Sequence, residues 1–81
     1  MDQVTKIVEY DKTKNHYVVL SDGKALMKNQ ETGEWVRCVI YSQYKNINEK
    51  GEYIEIPKEM RMIFVREYTD FWNKFSLCLD L

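Results

Sequence analysis

Met62-Ile63-Phe64-Val65-Arg66-Glu67-Tyr68-Thr69-Asp70-Phe71-Trp72-Asn73-Lys74-Phe75 changes its apolar rhythm partway along. Up to Glu67 the rhythm has a period of two, as in a half-buried strand. Beyond it, Phe71, Trp72, Phe75, Cys78 and Leu79 fall on one face at helical spacing. The changeover carries a helix-start signal. A Thr69 hydroxyl at the N-cap satisfies a free backbone N–H of the first turn. Asp70 in that turn suits the helix dipole, and Lys74 four residues on can pair with it. The spacing predicts a last strand over Met60 to Glu67 and a helix over Asp70 to Leu79, hence an α+β class.

Upstream, the signals are those of strands and turns. Val4 to Tyr10 is rich in β-branched and aromatic residues, and Asp11 to Asn15 supplies a polar turn. His16 to Leu20 is a second strand candidate. Asp22-Gly23 reads as a hairpin turn, because both residues tolerate positive φ, with Lys24 to Lys28 as the return strand. A further turn over Asn29 to Glu34 feeds the longest strand candidate, Trp35 to Tyr41. Gln43 to Glu52 is polar and reads as a long mobile loop. Tyr53 to Ile56 reads as a short edge strand, ended by Pro57, which cannot donate to a ladder. The expected fold is an antiparallel sheet of four to five strands, curled toward a Src-homology-3-like small barrel and closed by one C-terminal helix. An open meander with the helix across one face is the alternative.

Length and composition narrow the class. Eighty-one residues make one small globular domain, 1–81, and 44% hydrophobic residues with 14% aromatics suffice for a core. Twelve basic against thirteen acidic residues leave a net charge of −1, which lowers the expectation of nucleic-acid binding, since that draws affinity from phosphate neutralisation. No apolar run approaches bilayer-spanning length, and the start of the chain shows no secretory pattern, so the expected location is cytoplasmic with no membrane partner. In that setting Cys38 and Cys78 read as reduced, buried thiols.

Catalytic signals are absent from the sequence. His16 is the only histidine and shows no sequence-adjacent partner for general-base work. Ser21, Ser42 and Ser76 lack a nucleophile elbow, and the three glycines are too scattered for a phosphate loop. Two cysteines cannot build a zinc site without His or acidic partners nearby. The expectation is therefore no enzyme, no cofactor and no metal.

The strand faces carry what binding signal there is. In Trp35 to Tyr41, one face holds Val36, Cys38 and Ile40, the other Trp35, Arg37, Val39 and Tyr41. In Met60 to Arg66, one face holds Arg61, Ile63 and Val65, the other Met60, Met62, Phe64 and Arg66. If the helix covered the aliphatic side, Trp35, Arg37, Tyr41, Phe64 and Arg66 would form an exposed partner-binding platform of hot-spot residue types. If it covered the aromatic side, the arginines would sit at the rim with stems packed and heads in water. The second arrangement is favoured, because the helix stripe needs a large apolar surface.

The pattern Gly33-x-Trp35-Val36-x-x-Val39-Ile40-Tyr41, then Phe64-Val65-Arg66-x-x-x-Asp70-Phe71-x-x-x-Phe75, resembles small uncharacterised proteins of bacteriophages and mobile elements of gut bacteria, over roughly residues 25 to 75. The resemblance implies an accessory factor that binds a host or phage protein. The expected function is a non-catalytic protein-binding module. A nucleic-acid-binding module using the aromatic-basic side with Lys45, Lys50, Lys58 and Arg61 is the alternative. Monomer and weak homodimer both stand, the dimer pairing through the Ile54-Glu55-Ile56 edge.

Overall fold

A computed structural model describes residues 6–80. Six strands form one antiparallel sheet: β1 (Lys6–Tyr10), β2 (His16–Lys28), β3 (Trp35–Ile47), β4 (Tyr53–Glu55), β5 (Ile63–Glu67) and β6 (Phe75–Asp80). A single short helix, α1 (Tyr68–Lys74), joins β5 to β6, and a 3₁₀ turn spans Lys58–Met60. The strand order is β4-β3-β2-β1-β6, with β5 also on β3. Both β4 and β5 use the β3 edge that β2 leaves free, β4 at Lys45 to Ile47 and β5 at Cys38 to Ser42.

The β2–β3 ladder curls because its register shifts three times, between His16 and Tyr17, Val19 and Ser21, and Asp22 and Ala25. Each shift bends the strand and tightens its twist. The Asp22-Gly23 pair, expected as a hairpin turn, belongs to the last of these irregularities, and β2 runs straight on to Lys28. Gly23 does take the positive φ of +73°. Its bare α-carbon also leaves room for the Arg37 guanidinium and the Tyr68 ring, which a Cβ would meet. The chain reverses at the turn expected over Asn29 to Glu34, where Asn29 Oδ1 accepts from the backbone of Glu31 (2.9 Å) and Thr32 (3.3 Å).

Two further expectations change at the other end of the sheet. Half of the polar stretch from Gln43 to Glu52 is strand: β3 continues to Ile47, and a tight turn closes where Asn48 Oδ1 accepts from the N–H groups of Lys50 and Glu52, both at 2.9 Å. The helix expected over Asp70 to Leu79 begins at Tyr68 and ends at Lys74. Its cap is Glu67, whose carboxylate accepts from Asp70 N–H at 3.0 Å, in place of Thr69. The Asp70–Lys74 pair forms as expected, at 3.0 Å. Phe75 is already extended, and 75–80 is the strand that covers β1, from Tyr10↔Phe75 to Lys6↔Asp80. The sheet therefore has one strand more than expected.

The core lies on the concave side. Val8, Val19, Val39, Tyr41, Phe71 and Phe75 form one buried cluster, with Tyr10, Tyr17, Phe64, Tyr68 and Trp72 packed against it. Phe71 and Phe75 stack at 4.2 Å, and both rings lie against Tyr41, at 5.0 and 5.1 Å. The helix thus covers the aromatic side of β3 and β5. Trp72 Nε1 donates to Asp22 Oδ1 (3.1 Å), whose other oxygen pairs with Lys6 (3.2 Å), tying α1 to β1 and the irregular part of β2. Among the described residues no helix is long and apolar enough to cross a membrane.

Candidate functional site

The five residues expected as a platform do not share one exposed surface. Tyr41 is core, 4% exposed. Its hydroxyl accepts from Arg66 Nε (3.3 Å), and Arg66 Nη1 reaches Asp70 Oδ2 (2.9 Å). The guanidinium pKa is raised, first by the bond to Tyr41 and then by Asp70. Tyr41, Phe64 and Arg66 do meet, with Tyr10, Tyr17 and Phe75, around an aromatic pocket of about 150 Å³. That is small against the few hundred Å³ of a typical ligand site. Burial, then the Tyr41 and Tyr10 hydroxyls, push the Tyr17 phenol up. Arg37 lies elsewhere: its Nε donates to Gly23 O (3.2 Å) and its guanidinium stacks over Tyr68 at 4.1 Å. Trp35 stays exposed beside the β2–β3 turn. The helix seats Phe71 on Tyr41, the favoured arrangement with the aromatic side covered, and leaves Trp35 in solvent at the far end of β3.

A different stretch of the chain is bare. Among the described residues ten large hydrophobics remain exposed, and six of them, Tyr53, Ile54, Met60, Met62, Ile63 and Val65, fall between β4 and β5. Both strands pair only with β3, so this run of chain is an edge of the sheet. Ile63 and Val65 alternate with the inward Phe64 and Arg66. Ile54 and Met60 line a shallow groove of about 360 Å³ with Ile47, Ile56 and Pro57. Arg61, one of the cations assigned to a nucleic-acid face, is spent internally on Ile56 O (2.7 Å) and Glu55 (3.0 Å).

The face away from the core carries a second feature, absent from the sequence reading. Glu9 and His16 are opposite one another on β1 and β2, with Glu9 Oε1 3.4 Å from His16 Nε2. Cys78 Sγ lies 3.9 Å from that same nitrogen. The Tyr53 ring stacks on the imidazole at 4.2 Å, with its hydroxyl 3.4 Å from Glu9 Oε1. Cys78, expected to be buried, is exposed; only Cys38 is enclosed, and neither is bonded to the other. Desolvation by the side chains packed beside it, and then the Glu9 carboxylate, push the Cys78 thiol up. Burial raises Cys38. The Glu9–His16 pair follows from pairing across the Asp11 to Asn15 turn. Nothing in the sequence announces that Tyr53 and Cys78 arrive beside it.

Comparison with family models, with curated proteins and with solved structures finds no match for this chain.

Proposed function

We propose that this chain is a non-catalytic protein-binding module, a small barrel of the Src-homology-3-like kind, whose contact surface is the sheet edge from Tyr53 to Val65. The barrel reading rests on α1. It carries the chain from β5, at one end of the curled sheet, to β6 at the other, in seven residues. The binding reading rests on the edge: six of the ten exposed large hydrophobics among the described residues lie along it, four of them on strands that pair there only with β3. Small proteins seldom leave such a run bare, and an edge of this kind offers both backbone hydrogen bonds and apolar anchors to an incoming segment. The setting we propose is that of a cytoplasmic accessory protein of a phage or mobile element, acting on a host component.

Affinity capture with the wild-type chain and with an Ile63→Lys/Val65→Lys double variant, then reconstitution from purified components, tests the reading. The expected outcome is a protein bound by wild type in both formats and lost by the double variant. Equal capture by both chains, or no specific capture by either, overturns it. Retention of nucleic acid that collapses as salt rises would move the function to the nucleic-acid alternative.

A further inference from the structure

Glu9, His16 and Cys78 each present one donor atom, and the three atoms lie within 4.8 Å of one another. Zinc takes imidazole nitrogen and carboxylate oxygen at about 2.0–2.2 Å and thiolate sulfur at about 2.3 Å, in tetrahedral geometry. Those lengths set a nitrogen–oxygen pair roughly 3.4 Å apart and a sulfur–nitrogen pair roughly 3.6 Å apart. The pairs here stand at 3.4 Å and 3.9 Å. The sulfur–oxygen pair, within 4.8 Å here, must close to roughly 3.6 Å, a movement of about 1 Å that rotation of the exposed Cys78 side chain would supply.

We propose that Glu9, His16 and Cys78 form a binding site for a divalent cation of the zinc class, with the fourth position open to water or to a donor from a partner. Three observations carry it. First, His16 turns the same nitrogen, Nε2, toward both the thiol and the carboxylate. A Cys-His-acid relay needs the acid on the other ring nitrogen, whereas a metal needs all three donors converging on one point. Second, Cys78 is the extra residue of a β-bulge: Val8 pairs with Leu77 and Ile7 with Leu79, so Cys78 is skipped in the ladder. Bulges re-aim side chains beside functional sites, and this one turns the thiol toward β2. Third, Tyr53 supplies the outer support such sites use, its ring flat on the imidazole (19° between planes) and its hydroxyl on the carboxylate. Lys14 Nζ, 3.7 Å from Glu9 Oε2, is the cation now facing the carboxylate, and its exposed side chain is free to withdraw.

On binding, the Cys78 S–H proton leaves to solvent and the sulfur–metal bond takes its place. The ion then pins β6 to β1 and β2, the three strands that supply the ligands.

The test uses the full chain, stripped with a chelator and titrated with Zn²⁺ alone by calorimetry, and with Co²⁺ alone by absorption spectroscopy. The expected result is one ion per chain and a thiolate-to-cobalt charge-transfer band that Cys78→Ser abolishes. Tyr53→Phe should keep the band and weaken zinc binding by about tenfold. In the unmodified chain, Zn²⁺ should protect Cys78 from alkylation, a readout that needs no variant. Absence of saturable zinc binding, cobalt binding without the thiolate band, or Cys78 alkylation at the same rate with and without Zn²⁺ would each overturn the proposal.

Discussion

Phe71→Ala against Ile63→Ala is the sharpest test of which side of the sheet is core. Phe71 has no exposed surface and touches Phe75 (4.2 Å), Trp72 (4.9 Å) and Tyr41 (5.0 Å) ring to ring. Truncating such a side chain removes its transfer energy and leaves a cavity between α1 and β3. The cost is about 3–5 kcal/mol. Ile63 is 65% exposed. Scaling the ~1.5–3 kcal/mol of a fully buried aliphatic side chain by the fraction it buries gives roughly 0.5–1 kcal/mol. A domain of this length has a total stability of about 4–12 kcal/mol, so Phe71→Ala takes from about a quarter of it to more than all of it. With a urea m-value of about 1–1.5 kcal/mol/M, the midpoint falls by roughly 2–3 M or more for Phe71→Ala and by less than about 1 M for Ile63→Ala. Urea melts followed by tryptophan fluorescence and by far-ultraviolet dichroism measure both on one scale. Equal losses for the two variants would refute the assignment of the concave side as core, and with it the use of Ile63 as a binding probe that spares the fold.

Three other outcomes follow from single contacts. Gly23→Ala should destabilise by more than Gly33→Ala: both positions have positive φ, worth about 1–2 kcal/mol for a residue with a Cβ, but only at Gly23 does the Cβ meet Arg37 and Tyr68. Thermal melts of the two variants compare them directly. Asp22→Ala leaves the Trp72 indole N–H and Lys6 without their partner and should cost about 1–3 kcal/mol; a denaturant midpoint unchanged from wild type would remove the α1–β2 tie from the account. The Asp70 carboxyl is held below its ordinary value, first by Lys74 and then by Arg66. A depressed carboxyl contributes stability above its unfolded pKa and loses it as pH falls through the folded one. Melts run from neutrality to below about pH 4 should therefore show an acid loss that is smaller in Asp70→Asn.

The sequence by itself determined the local grammar. Alternation along Trp35 to Tyr41 and along β5 sorted Val39, Tyr41, Phe64 and Arg66 onto one face, and that face is the one α1 covers. The polar turns at Asp11 to Asn15 and Asn29 to Glu34 stand where read, each closed by local bonds: Lys14 N–H to Tyr10 O and Asn15 N–H to Thr13 Oγ1 in the first, Glu31 N–H to Asn29 Oδ1 in the second. The Asp70–Lys74 pair follows from helical spacing alone. Tertiary pairing decided what local chemistry left open. Phe75-Ser76-Leu77-Cys78-Leu79-Asp80 satisfies a period of two as well as a helical one, and the bare edge of β1 selects the strand by supplying a ladder that a helix cannot use. Gly23 takes positive φ equally well in a turn or in an irregular strand, and continued pairing of β2 with β3 picks the second. The meeting of Glu9, His16, Tyr53 and Cys78 depends on four registers and one bulge, set by how whole strands pack, so no local signal in the chain could carry it.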